Sequence, residues 1–185
     1  MQIDETTLPG VLLLTPKRFS DARGFFSEVY NAAALSLHGI DTVFVQDNHS
    51  LSAKAGTVRG LHFQSPPHAQ DKLVRVSRGR ILDVAVDVRK NSPNYGSWTG
   101  IELSADNGSQ LLVPKGFLHG FLTLEDNCEV VYKCSDYYAP ECDGSVRFDD
   151  PDIGIDWGVR ASDVTISEKD ANAQSFQEFD SPFIC

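Results

Sequence analysis

The chain has 185 residues, of which 41% are hydrophobic, with 14 glycines, 9 prolines and a formal net charge of −10 at pH 7. The negative charge disfavours nucleic acid or an anionic membrane as a partner, so an anionic ligand would need a local cluster of Arg and Lys. No apolar run is long enough to span a bilayer and the N-terminus lacks the basic start of a signal peptide, so we expect a cytoplasmic protein with one domain over residues 1–185.

The first third of the chain contains three predicted strands and one predicted helix. The strands cover 11–14, 25–30 and 43–50. An alanine- and leucine-rich segment between the last two predicts a short helix, with Asn31 as its N-cap and Gly39 as its stop.

The middle of the chain predicts three more strands, over 56–64, 72–77 and 81–88, because apolar residues recur there with the period of a strand. The last two are separated by Arg78-Gly79-Arg80, which predicts a hairpin turn.

Lys72 is unusual because it shares one strand face with the apolar residues Val74 and Val76. An inward lysine is costly unless it has a partner or a function. Alternatively, it occupies the first position of the strand and extends its ammonium group to water. The spacing leaves both orientations open.

Four further strands are predicted over 97–103, 109–113, 117–124 and 128–135. Many short strands at this spacing are typical of an all-β sandwich or barrel. The chain after residue 136 is loop-like, with one short helix predicted by Ser167-Glu168-Lys169-Asp170, which matches a capping box. The capping box alone would be a sufficient structural reason for an acidic residue at position 170.

Two polar side chains lie on apolar faces of these strands. Tyr132 shares a face with Cys134, and His119 shares one with Phe117 and Phe121. A buried tyrosine is most often a packed ring with one hydrogen bond, and a lone histidine on such a face is most often a satisfied core residue.

The segments 56–79 and 108–119 resemble the paired signature motifs of the cupin superfamily, which implies a jelly-roll β-barrel with a few short peripheral helices. Metal-binding cupins supply a second histidine and a glutamate where this chain has Gln64 and Lys72. An ammonium group would repel a divalent cation, and two imidazoles are too few ligands, so we expect no metal. The four cysteines form no Cys-x-x-Cys pair and predict reduced, mostly structural thiols.

A closer resemblance, to the dTDP-4-dehydrorhamnose 3,5-epimerase family, spans nearly the whole chain. The motifs that carry it are Asp21-x-Arg23-Gly24-x-Phe26, Gln46-Asp47-Asn48-x-Ser50, Arg59-Gly60-Leu61-His62, Pro114-x-Gly116-Phe117-x-His119-Gly120-Phe121, Tyr132-Lys133 and Asp149-Asp150-Pro151. The resemblance implies inversion of C3 and C5 of a nucleotide-linked 4-keto-6-deoxy sugar without cofactor or metal, in dTDP-L-rhamnose biosynthesis.

The resemblance also assigns roles to residues. It implies that His62 is the base, that Asp170 orients and supports it, that Lys72 stabilises the enolate and that Tyr132 is the acid that donates to the opposite face. His119 would contact the substrate or its oxyanion. Further substrate contacts are implied for Arg23 and Arg59 at the pyrophosphate, for Glu28, Gln46, Asp47 and Asn48 at the nucleoside, and for Tyr138, Asp143 and Lys169 where the site closes.

The resemblance implies a homodimer whose N-terminal strands are exchanged between subunits. The segment 141–145 lacks the basic pattern common in the family, and Phe148 replaces a common Trp. Three alternatives stay open: an epimerase of a related sugar that acts only at C3 or only at C5, a non-catalytic cupin that binds a sugar nucleotide, and a metal-dependent oxygenase, which Lys72 disfavours.

Overall fold

A computed structural model describes all residues from Met1 to Cys185. Thirteen strands are present: β1 (Gln2–Glu5), β2 (Leu12–Thr15), β3 (Arg18–Asp21), β4 (Gly24–Ser27), β5 (Gln46–Ser52), β6 (Val58–Gln64), β7 (Lys72–Arg78), β8 (Arg80–Asp87), β9 (Trp98–Ser104), β10 (Gln110–Val113), β11 (Phe117–Thr123), β12 (Cys128–Cys134) and β13 (Asp143–Ser145). The helices are α1 (Ala32–Ser36) and α2 (Glu168–Ala171), with two 3₁₀ turns at Pro140–Cys142 and Ala161–Asp163. Neither helix has the length and hydrophobicity needed to cross a membrane.

The strands form two antiparallel sheets that face each other. One has the order β1-β2-β10-β7-β12-β5 and the other the order β13-β6-β11-β8-β9, while β3 and β4 form a separate hairpin. Apolar side chains from both sheets meet between them, including Val74 and Val130 from the first and Ala85 and Phe121 from the second. The predicted all-β jelly-roll barrel with short peripheral helices is therefore confirmed.

Two satellite cores cover the outer faces of the sheets. On the five-stranded sheet, residues of the C-terminal segment such as Trp157 and Phe183 pack against Leu61 and Leu118. On the six-stranded sheet, α1 packs through its one buried residue, Leu35. Asn31 caps α1 as predicted, since its side chain accepts a hydrogen bond from the backbone N–H of Ala34 at 3.1 Å.

The hairpin predicted at Gly79 is wrong. Strand β7 pairs with β10 and β12, whereas β8 pairs with β9 and β11, so the chain passes from one sheet to the other at this residue. Gly79 has a φ of +78°, and a Cβ there would lie 2.6 Å from Sγ of Cys128. The glycine signal for a tight turn was correct, but such a signal does not say which strands pair on either side of it.

Candidate active site

A cavity of about 420 Å³ opens between the two sheets. Its walls are formed by residues from both sheets and from the segment around α2, most of them polar: Ser50, Thr57, Val58, Arg59, His62, Lys72, His119, Phe121, Tyr132, Thr165, Ile166, Ser167, Lys169 and Asp170. A neighbouring cavity of about 400 Å³ shares His62, Lys72, Tyr132 and Lys169 with the first and adds Gln46, Asn48, Tyr138 and Asp143. Together they form one elongated candidate site.

A β-bulge in β6 turns two side chains toward this cavity. The pairing of β6 with β11 shifts its register, because His62 lies opposite His119 but Arg59 lies opposite Phe121. One extra residue on β6 therefore lets Arg59 and His62, three positions apart, both line the cavity, while Leu61 faces the outer core. A regular strand would have placed them on opposite faces.

The bulge depends on Gly60. Its φ is +137°, and a Cβ at this position would lie 2.6 Å from Cα of Gly120 on the neighbouring strand. Only glycine combines this backbone conformation with so close an approach of two strands.

His62 forms a hydrogen-bonded pair with the buried carboxylate of Asp170. Nε2 of His62 lies 2.7 Å from Oδ1 of Asp170, which is only 4% exposed, while the backbone N–H of Gly60 donates to Oδ2 at 3.3 Å. Burial alone would raise the pKa of Asp170, but the hydrogen bond and charge of His62, together with backbone and Ser167 hydrogen bonds, bring it below its usual value. Asp170 is thus held as the carboxylate, and Nδ1 of His62 has no partner in the protein.

Only one of the two hydrogen bonds of the predicted capping box forms. Ser167 caps α2, since its hydroxyl accepts a hydrogen bond from the backbone N–H of Asp170 at 3.1 Å. In a complete box the acidic side chain returns to the N-cap backbone. Here the side chain of Asp170 turns to His62 instead, so capping does not explain it.

Lys72 points inward, which is one of the two orientations that the sequence left open. It lines both cavities and forms no ion pair. Burial lowers the pKa of Lys72, and the nearby charges of Asp143 and Asp83 partly oppose that shift. An ammonium group without a carboxylate partner, facing a cavity, is poised to bind an anionic or partly charged oxygen of a ligand.

Tyr132 lies on β12, in the sheet opposite the one that carries His62. Burial raises the pKa of Tyr132, so its hydroxyl keeps its proton at neutral pH. His62 and Tyr132 thus face one cavity from its two walls. This placement puts a proton acceptor and a proton donor on opposite sides of whatever binds between them.

The remaining predicted contacts divide into two groups. Arg59 lines the cavity, donating to Oγ of Ser52 and the carbonyl of Leu51 at 3.1 Å each, while its Nη1 makes no hydrogen bond within the protein. In the second cavity, Asp143 pairs with Lys169 and accepts from the Tyr138 hydroxyl at 3.4 Å. Gln46 and Asn48 line this part of the site as well.

Arg23, Glu28 and Asp47 lie outside both cavities. Arg23, on the β3–β4 hairpin, is 90% exposed and pairs with Asp21. Asp47 pairs with Lys133 at 3.0 Å, and with Glu28 it lines a separate groove. The subunit alone thus does not bring these three residues to the predicted site.

Sequence reasoning missed Asp83, the partner of His119. Nε2 of His119 lies 2.8 Å from Oδ1 of Asp83, and both side chains are buried. The available signal was the alternation of Ile81, Asp83 and Ala85, which places a carboxylate on an apolar strand face.

No three His, Cys, Asp or Glu side chains are grouped to hold a metal ion.

Comparison with known proteins identifies close relatives. A sequence model of the family described as dTDP-4-dehydrorhamnose 3,5-epimerase matches residues 5–178. The enzyme of that name from Methanothermobacter thermautotrophicus is 50% identical over 175 residues, covering 94% of each chain. The corresponding Bacillus anthracis structure, with TDP and PPi bound, has a TM-score of 0.91 at 47% identity and covers 95% of this chain and 99% of its own. A Legionella pneumophila dTDP-6-deoxy-D-glucose-3,5-epimerase in complex with dTDP-4-keto-L-rhamnose has a TM-score of 0.91 at 43% identity, covering 97% and 94%.

Proposed function

The chain belongs to the dTDP-4-dehydrorhamnose 3,5-epimerase family, and from this membership we propose that it inverts C3 and C5 of dTDP-4-keto-6-deoxyglucose in dTDP-L-rhamnose biosynthesis. The observation that carries the proposal is the placement of His62 and Tyr132 on opposite walls of one cavity, with Lys72 between the sheets. Relatives that contain TDP or dTDP-4-keto-L-rhamnose support a nucleotide sugar as the ligand.

The proposed chemistry begins with removal of a proton. Both C3 and C5 are α to the C4 ketone, so loss of a proton from either carbon leaves an enolate. His62 takes this proton on Nδ1, and Asp170 stabilises the resulting imidazolium through Nε2. The Lys72 ammonium stabilises the negative charge that develops on the C4 oxygen.

Inversion requires that the new proton arrive on the other face of the carbon. The Tyr132 hydroxyl donates it from the opposite wall, and the enolate returns to the ketone with its configuration reversed. The step leaves His62 protonated and Tyr132 deprotonated, and proton exchange with solvent water restores both groups, so only protons move and no electrons are gained or lost. We therefore propose a reaction without cofactor or metal.

The elongated site also offers contacts for the nucleotide. The free Nη1 of Arg59 suits an oxygen of a pyrophosphate, and the Lys72 ammonium, which has no ion-pair partner, adds a second positive charge to the site. The amides of Gln46 and Asn48, with Tyr138 and Asp143, line the neighbouring cavity in which a nucleoside fits. These cations supply the local positive charge that a chain of net charge −10 needs to bind an anionic substrate.

The proposal is tested by solvent deuterium exchange. Protein stripped of metal is incubated with dTDP-4-keto-6-deoxyglucose in D₂O, and NMR detects the label at C3 and C5. Label and inversion at both carbons are expected. Label at one carbon would favour the single-site alternative. Binding without exchange would favour a non-catalytic cupin, and activity restored only by iron or manganese would indicate a metal enzyme.

Replacing Tyr132 with Phe should separate the two proton transfers. The ring and its packing stay, but the proton donor is lost, so reprotonation should slow by about 10²-fold or more. Because His62 is intact, proton removal and return on the same face should continue. We expect deuterium to enter the substrate with little inversion. Full epimerisation by Tyr132→Phe would show that another group is the acid.

We further propose a homodimer in which Arg23 serves the site of the partner subunit. The β3–β4 hairpin carries Arg23 away from the cavity of its own subunit, and Phe19, Phe25 and Phe26 are 54%, 60% and 69% exposed on it. Exposed aromatic side chains on a projecting hairpin are typical of an interaction surface.

The predicted cytoplasmic location stays a prediction.

Subunit mixing tests this arrangement. Arg23→Ala and His62→Ala variants are each expected to be weakly active or inactive alone. If Arg23 acts across the interface, a hybrid dimer contains one site with both residues intact, so mixed and refolded subunits should regain activity. If Arg23 acts within its own subunit, no hybrid site is intact and mixing should restore nothing.

A further inference from the structure

Asp83 is a buried carboxylate with an incomplete set of partners. It lies on the inward face of β8 between Ile81 and Ala85, both of which belong to the central core, and its side chain is 0% exposed. Oδ1 contacts Nε2 of His119 at 2.8 Å, but Oδ2 has no hydrogen-bond partner. A carboxylate in such surroundings is costly unless a cation balances it. His119 is its only ion-pair partner.

His119 connects this carboxylate to the active site. Its ring is 7% exposed and lines the cavity with Lys72 and Tyr132. While Nε2 is directed to Asp83, Nδ1 has no hydrogen-bond partner in the protein. A neutral ring that donates from Nε2 would offer only a lone pair at Nδ1. A doubly protonated ring would offer an N–H donor there.

We propose that Asp83 is a positioning residue that keeps His119 doubly protonated, so that Nδ1–H donates to the C4 oxygen of the enolate beside Lys72. This inference rests on the proposed epimerase activity. The imidazolium transfers no proton during the reaction; it is a fixed donor that complements charge developing in the transition state. The pair would thus complete an oxyanion site built from Lys72 and His119, with Asp83 as the buried counter-charge.

Charged and titratable groups from the surrounding elements contact His119 or line the same cavity. They are His62 and Arg59 on β6, Lys72 on β7, Asp83 on β8, Tyr132 on β12, and Lys169 and Asp170 on α2. The cations among them oppose a charge on His119, and the two carboxylates favour it. Asp83 is the carboxylate in direct contact, whereas Asp170 contacts His62. Removing the negative charge of Asp83 should therefore leave mainly positive charges around His119, and these disfavour its protonation.

The protonation state of His119 can be measured without turnover. In wild-type protein labelled with ¹⁵N-histidine, assigned by comparison with His119→Gln, both ring nitrogens of His119 should carry protons at neutral pH. In Asp83→Asn, which keeps an acceptor oxygen but no charge, the doubly protonated form should persist only at lower pH. A neutral His119 ring in the wild type at neutral pH would overturn the proposal, even if the variant failed to fold.

Kinetics test the consequence for the reaction. Asp83→Asn should lower kcat by about 10²-fold at about pH 8, the loss typical of one oxyanion donor, with little change in KM. The loss should shrink at about pH 6, where histidine protonates without help. A matched control is Asp87→Asn, since Asp87 is an equally buried carboxylate on the same strand face but is paired with Arg89. Its pH profile should match that of the wild type.

A double variant shows whether Asp83 acts through His119. If it does, Asp83→Asn combined with His119→Gln should be no slower than His119→Gln alone. Multiplied losses, or an Asp83→Asn enzyme with the wild-type pH profile, would overturn the inference. Exchange at C3 and C5 by wild-type protein is measured first, so that failure of the epimerase proposal is distinguished from failure of this one.

Discussion

Replacement of His62 with Ala should reduce epimerisation by about 10²–10⁴-fold, the usual contribution of a general base. The substitution removes the imidazole that is hydrogen-bonded to Asp170 and whose free Nδ1 faces Tyr132 across the cavity. Deuterium exchange should stop at both carbons, because neither proton can be removed. Binding of dTDP should persist, since the proposed nucleotide contacts lie elsewhere in the site. NMR exchange and calorimetric titration with dTDP measure the two effects separately.

The matched control is His49→Ala. His49 also pairs with a carboxylate, Glu129, at 3.1 Å, but this pair lies on the exposed face of β5 and lines neither cavity. This variant should keep wild-type turnover. If His62→Ala still exchanged deuterium at either carbon at more than about a tenth of the wild-type rate, His62 would not be the base for that carbon.

The parts of the site that lie on regular strands could be predicted from the sequence. Alternation along β12 placed Tyr132 inside the barrel, whereas alternation along β7 left Lys72 either inward or extended to water. The structure puts both on the cavity wall. Period-2 alternation is a local property of the strand, so it does not depend on which strands lie beside it. It gives the direction of a side chain but not its neighbours.

The remaining features depend on contacts between distant segments. The pairing of His62 with Asp170 joins residues 108 positions apart, and local capping chemistry gave a competing explanation for Asp170. The bulge at Gly60 breaks the alternation that the prediction relied on. The change of sheet at Gly79 depends on strand pairing, which turn residues do not encode.

Replacement of Lys72 with Met should have opposite effects on activity and stability. Methionine has nearly the same length and no charge, so it fills the space but cannot stabilise the enolate. Loss of a preorganised donor at a developing oxyanion costs about 10²–10³-fold in kcat, equivalent to about 2.7–4 kcal/mol. The free energy of unfolding should rise, by about 0.5–2 kcal/mol, because an ammonium group without an ion-pair partner no longer has to be buried.

The pH dependence of that stability gain has a definite sign. Burial lowers the pKa of Lys72 in the folded protein, so between the folded and the unfolded pKa the unfolded chain binds more protons. The wild type is therefore destabilised most below the folded pKa and recovers as the pH rises toward the usual lysine value. The advantage of Lys72→Met in urea unfolding should be largest below the folded pKa of Lys72 and should decrease as the pH rises toward the usual lysine value. A variant that lost activity and stability together would show that Lys72 has a structural partner, and the oxyanion role would have to be reassigned.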